Sequence, residues 1–157
     1  MSIAVFDIDG VVADVGHRVR FVTGPRKNWR RFFELAATDS PLPTGLEWAM
    51  SAAAQHDLVW LTGRPEWLRP VTEAWLRDHG LPDRPLHMRP DGDYRPARAF
   101  KVEVLRLLGL REDVAVFVDD DLQVVQAAAS AGFTASLADW APRPLALDQA
   151  QERFGRS

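Results

Sequence analysis

The chain has 157 residues, 46% hydrophobic and 26% charged, with a formal net charge of −3. That length suits one domain with a real core, and the charge balance excludes a protein that binds nucleic acid through its global charge. Zero cysteines exclude disulfides and thiolate zinc sites, and no apolar run approaches the roughly 18 residues of a membrane span. With no basic leader and cleavage site before the first apolar run, a cytoplasmic protein is expected.

The first element reads as a buried strand, Ile3–Phe6, ending in Asp7-Ile8-Asp9-Gly10. Residues i and i+2 of an extended chain point the same way, about 7 Å apart, so Asp7 and Asp9 face one side at the carboxyl end of the strand. Ligands of open parallel sheets bind at that end. Two like charges so close call for a cation between them or a retained proton, and Gly10 lets the backbone approach what they hold. A calcium loop is excluded, because position 12 counted from Asp7 is Arg18 rather than an acid. Arg18, Arg20, Arg26, Lys27, Arg30 and Arg31 then follow with no acid among them, a +6 segment inside a chain of net −3. It is either a polyanion track or a solvated helix face. The stretch from Arg18 to Gln55 reads as helices broken by Asp39-Ser40-Pro41-Leu42-Pro43.

The next strand, Leu58–Leu61, ends in Thr62-Gly63-Arg64-Pro65. Pro65 is expected to open a helix with Leu68, Val71 and Trp75 on one side and Gly80 at its end. A hydroxyl and a glycine before a helix N-terminus suit a phosphate cradle, the alternative being a threonine cap. Residues 80–96 read as a long, partly ordered loop around a short strand, Leu86–Met88. A helix carrying Phe100, Val104, Leu107 and Leu108 ends at Gly109, with Lys101 on its other side, either functional or a snorkelling surface lysine. Strand Val114–Val118 ends in Asp119-Asp120-Asp121, acids that suit either a cation site or a helix start. A helix from Leu122 through Val125 and Ala129 to Gly132 and a weak strand, Thr134–Leu137, complete an α/β alternation that predicts a doubly wound parallel sheet. Residues 1–145 read as one domain and 146–157 as a tail, with the stretch after Ala141 expected to be dispensable. The four histidines show no zinc-ligand spacing.

Taken together, Asp7-x-Asp9, Thr62, Lys101 and Asp119-Asp120 resemble the four motifs of the haloacid dehalogenase (HAD) superfamily. The resemblance implies a Rossmann-like sheet of strand order 3-2-1-4-5, with a squiggle and flap over residues 10–20. Since 52 residues separate Asp9 from Thr62, it also implies a minimal or absent cap. The implied roles are Asp7 as nucleophile, Asp9 as general acid and base, and Thr62 and Lys101 as holders of the phosphoryl group. Mg²⁺ would be bound by Asp7, Asp9 and Asp119, with Asp120 acting through a bridging water.

The stretch Met88–Arg95, the run Lys101–Leu105 and Val118–Asp121 are similar to the phosphatase domain of phage-type polynucleotide kinase–phosphatases. That closer resemblance implies that Arg18 and Arg64, beside Gly63, contact the substrate phosphate. Two positions depart from the pattern: Ala97 stands where the family carries an acid, and Asp121 where it carries an arginine. No kinase module is expected. The expected activity is Mg²⁺-dependent hydrolysis of phosphomonoesters through an aspartyl-phosphate, on polynucleotide 3′-phosphate ends. Trp29 is available to stack on a base or to pack in the core. The alternatives are a phosphatase of nucleotides or sugar phosphates, and a silent phosphate-binding module of the same fold.

Overall fold

A computed structural model describes residues 2–142, 147–149 and 152. Among them the strands are, in chain order, β1 (Ser2–Phe6), β2 (Ala13–Asp14), β3 (Ser40–Pro41), β4 (Asp57–Pro65), β5 (Leu86–Arg89), β6 (Asp113–Asp119) and β7 (Ala135–Leu137). Five form one sheet in the order β5-β4-β1-β6-β7, every pair parallel. Counted among those five, this is the expected order 3-2-1-4-5.

The apolar run of β1 is continuous because both its faces are covered. Ala4 and Phe6 join the core beneath α3 (Pro43–Ala53) and α4 (Arg69–Asp78). Ile3 and Val5 join the core beneath α5 (Ala97–Gly109) and α6 (Leu122–Ser130). Among the described residues, no helix is long and apolar enough to cross a membrane.

Beyond Asp9 the chain turns sharply. The backbone N–H groups of Val11, Val12 and Ala13 all donate to the Ile8 carbonyl, at 3.1, 2.9 and 3.0 Å. The chain then enters an antiparallel ribbon in which Ala13 pairs with Pro41 and Asp14 with Ser40. The flap is therefore wider than residues 10–20, since its second strand lies in the Asp39–Pro43 break. Residues 15–39 rise between the two ribbon strands as α1 (Arg20–Thr23), α2 (Trp29–Glu34) and two 3-10 turns, Gly16–Arg18 and Leu35–Thr38. Val19, Val22, Phe32 and Phe33 bury against Leu68 and Met88, so this insert is a minimal cap seated on the sheet edge. Leu147, within the stretch expected to be dispensable, is buried in the same cluster.

The helix after β4 starts later than Pro65 suggests. Pro65 keeps extended backbone, with φ −69° and ψ 152°, and ends the strand instead of opening the helix. A 3-10 turn, Glu66–Leu68, intervenes before α4, where Pro70 occupies the first turn. Thr62 and Gly63 consequently lie inside a strand, separated from the start of α4 by Pro65 and that turn.

Candidate active site

Register brings the first acids together. Phe6 pairs with Val118, and the Asp7 N–H donates to the Val118 carbonyl at 2.9 Å, so Asp7 and Asp119 emerge side by side. Lys101, on the inner side of α5 and only 3% exposed, joins them. Its Nζ lies 2.7 Å from Asp119 Oδ2 and 3.0 Å from Asp7 Oδ2. It does not snorkel. The other oxygens are held by backbone: Asp7 Oδ1 accepts from Ile8 N at 2.8 Å and Asp119 Oδ1 from Asp121 N at 2.9 Å.

One oxygen each from Asp7, Asp119 and Asp120 lies within 4.8 Å of the others. Gly10, at φ 75°, makes room for Asp120: a Cβ there would stand 1.9 Å from Asp120 Oδ2. Burial pushes the Asp7 carboxyl well above its ordinary range, Asp119, Asp120 and Asp9 push it further, and Lys101 opposes them. Burial also works against the Lys101 charge, but Asp119 and Asp7 hold its ammonium above its ordinary value. Asp7 and Asp119 share the single Lys101 ammonium, with the Asp120 carboxylate beside them. An all-oxygen set of this kind fits a hard divalent cation such as Mg²⁺. Asp121 serves otherwise, capping α6 by accepting from Gln123 N at 2.9 Å.

Asp9 turns away from this group. Its Oδ1 accepts from Arg64 Nε at 3.0 Å, from an Arg64 terminal nitrogen at 2.6 Å and from an Arg18 terminal nitrogen at 3.0 Å. Both guanidiniums are fully buried and also grip Asp39, Arg18 twice at 2.8 Å and Arg64 once at 3.2 Å. Their remaining donors go to the Phe32 carbonyl and Thr72 Oγ1. Burial raises the Asp9 carboxyl, but Arg64 and Arg18 together outweigh it and hold the group at about 2. Asp9 Oδ2 is buried with no hydrogen-bond partner among the described residues.

Thr62 is buried, and its Oγ1 accepts from Arg64 N at 3.1 Å. The buried Arg89 reaches from the end of β5 to the Gly63 carbonyl at 3.3 Å and the Arg95 carbonyl at 2.8 Å. Trp29 is half-buried and packs on its neighbours, edge-on to Phe32 and stacked on Phe33 at 5.7 and 6.1 Å.

A family model described as the polynucleotide kinase PNKP phosphatase domain matches residues 1–137. The chain belongs to that family. It is a phosphatase of the HAD type, and solved structures agree in fold. Two structures of a Pnkp1/Rnl/Hen1 complex match at TM-scores of 0.71 and 0.73, with 20% and 21% identity over 90% of this chain. The chain spans 47% and 43% of the length of those two relatives. A class C acid phosphatase from Bacillus anthracis matches at TM-score 0.64 and 16% identity, covering 92% of this chain and 68% of its own. No curated protein sequence matches.

Within this PNKP-type domain the two arginines likened to phosphate contacts are committed to Asp9 and Asp39. Sequence reasoning misses Asp39 altogether. In the sequence it reads as the start of a break, and no local signal separates a buried aspartate from a turn aspartate. Of the +6 segment, Arg18 lies inside, while Arg20, Arg26, Lys27, Arg30 and Arg31 are exposed on the cap.

Proposed function

We propose that this phosphatase domain hydrolyses phosphomonoesters at polynucleotide 3′ ends through an aspartyl-phosphate on Asp7, with Mg²⁺ held by Asp7, Asp119 and Asp120. The observation that carries the chemistry is the buried acid cluster bridged by Lys101. Bound there, Mg²⁺ would neutralise phosphoryl oxygens and orient the nucleophile. An Asp7 oxygen attacks phosphorus in line, and the bond to the leaving alkoxide breaks. Lys101 offsets charge on the phosphoryl oxygens. Thr62 Oγ1 already accepts from Arg64 N, so its hydroxyl proton is available to a phosphoryl oxygen.

Asp9 gives its proton to the leaving alkoxide, then removes one from the water that attacks the acyl phosphate, and so returns to its starting state. Its unpartnered Oδ2 suits both transfers. A carboxyl held at about 2 takes that proton only when further negative charge arrives, as a phosphate dianion entering the site supplies. Arg18 and Arg64 act through Asp9 as positioning residues. Direct contact of either with the substrate phosphate would cost a bond to a buried carboxylate.

The polynucleotide substrate is supported by the family match over residues 1–137 and by the exposed arginines of the cap. A cytoplasmic setting belongs to the same proposal. The deciding assay is phosphate release with Mg²⁺ from an oligonucleotide 3′-phosphate, its 5′-phosphate isomer, a mononucleotide and a sugar phosphate. The 3′-phosphorylated oligonucleotide is expected to have the highest kcat/KM. Equal or faster cleavage of the mononucleotide or sugar phosphate would make the domain a small-molecule phosphatase.

A further inference from the structure

Beside Gly63, one residue past Thr62, a cleft of about 110 Å³ opens between the cap and the loop that follows β5. Phe33, Trp67, Arg89, Pro90 and Tyr94 line it. We infer that this cleft is a nucleobase-stacking subsite, with the Trp67 indole as its platform, that receives the terminal base of the substrate. The inference rests on the polynucleotide reading and names where that substrate's base is held.

Trp67 is 46% exposed, and Tyr94, which lines the same cleft, is 55% exposed. Large rings left this open are informative when something holds them in place. Trp67 is held from several sides. Phe33 of the cap meets its ring edge-on at 6.0 Å, the Arg30 guanidinium lies 5.8 Å from the ring centroid, and its backbone N–H donates to Asp91 Oδ1 at 3.2 Å. A ring fixed before the ligand arrives loses little freedom on binding.

The charges around the cleft favour a base over a phosphate there. Asp91 is engaged by the Trp67 N–H, and Asp93 by Arg95 at 2.7 Å and Arg89 at 3.8 Å. The nearby cations are thus matched by acids, whereas Trp67 keeps nearly half of its surface open beyond its contacts with Phe33 and Arg30. The cleft is open to solvent on one side, so a flat ring can enter it while the sugar and phosphate to which it is attached stay outside. Every base has a π-face, so such a platform tolerates any sequence at the end being processed.

The test compares two 3′-phosphorylated oligonucleotides, one with a normal terminal nucleotide and one abasic at that position, on the wild type, Trp67→Ala and Trp67→Phe. In the wild type the abasic end should have a KM about tenfold higher. Trp67→Ala should abolish that difference by raising KM for the normal end to the abasic level, and Trp67→Phe should retain most of it. The same base preference in Trp67→Ala as in wild type, or no preference in wild type, would overturn the subsite. A second arm is independent of hydrolysis: titration with an unphosphorylated trinucleotide should quench tryptophan fluorescence saturably in wild type and much less in Trp67→Phe. If the wild type cleaves neither oligonucleotide, the polynucleotide reading falls and this arm decides alone. Quenching that depends on Trp67 would uphold the subsite, for a base-bearing small substrate. Equal quenching in both proteins would overturn it.

Discussion

Two buried charge clusters share the carboxyl edge of the sheet, and they are built differently. Around Asp7, two buried carboxylates share one lysine, a compact ammonium, and the Asp120 carboxylate stands beside them. Around Asp9, two carboxylates face two guanidiniums whose donors are spread over both acids, and the His17 ring also meets Asp39 at 2.8 Å. Arginine's rigid fork suits the second task, because it fixes the direction of a carboxylate. The comparison teaches that burial alone does not identify a reactive acid. Acids that share one ammonium are prepared to receive a cation, whereas acids clamped by guanidiniums are held in position.

The largest contrast should come from the nucleophile. Asp7→Asn should lower turnover by at least ~10³-fold while the domain still folds. The metal-free variant should melt no lower than the parent, because it removes a buried carboxylate whose charge is unfavourable there. Normal turnover would break the assignment of the acid cluster to chemistry. Arg64→Met should act in the opposite way and destabilise the fold by ~3–5 kcal/mol, since it leaves the buried Asp9 and Asp39 with Arg18 as their one remaining guanidinium. Denaturant unfolding would show it. A destabilisation under about 1 kcal/mol would mean that the clamped cluster is not structural.

Metal should separate the clusters further. Mg²⁺ at about 100 times its Kd should stabilise the wild type by ~2.7 kcal/mol and Asp119→Asn far less, read from Tm with and without chelator. Stabilisation undiminished in Asp119→Asn would locate the ion elsewhere.

Acid titration distinguishes them by sign. The folded-state value of Asp9, about 2, lies below its ordinary 3.8. Its contribution, on the order of 2 kcal/mol, is present above about pH 4 and is lost as pH falls toward 2. Asp7 is raised, so without metal its contribution is present below its ordinary value and is lost as pH rises through the folded one. Unfolding of Arg64→Met across pH 2–5 should lack most of the Asp9 slope, and an unchanged slope would contradict the clamp. The smallest effect concerns the cap surface. Replacing the exposed Arg20, Arg26 and Arg31 with Ala should flatten the salt dependence of oligonucleotide kcat/KM. The slope should fall by ~0.7 log units per log unit of salt for each phosphate that the variant no longer neutralises. An unaltered slope would make that surface a solvated face.

The helices show where local pattern stops being informative. The periodicity of α5 points to Leu107 as a buried position, yet Leu107 is 58% exposed while Leu105 is fully buried. In α6 the buried positions are Val124 and Ala128, and Leu122 is 54% exposed. Leucines and valines stand on more than one side of each segment, so period alone does not choose the face. Which side is covered depends on how each helix lies on the sheet.

By itself the sequence determined the five sheet strands, the parallel α/β order and the acids at the ends of β1 and β6. Strands covered on both faces must be continuously apolar, and polar residues at their carboxyl ends stand out against that run. Lys101 was legible as a candidate, though its burial was not. Only the tertiary structure decided that Asp9 is clamped, that Asp39 is its counterpart, that Trp29 packs on Phe32 and Phe33 while Trp67 faces a cleft, and that Pro65 extends a strand. Those outcomes join residues as far apart as 55 positions, from Asp9 to Arg64. Which charges are buried together follows from which elements pack, and a local pattern does not carry that information.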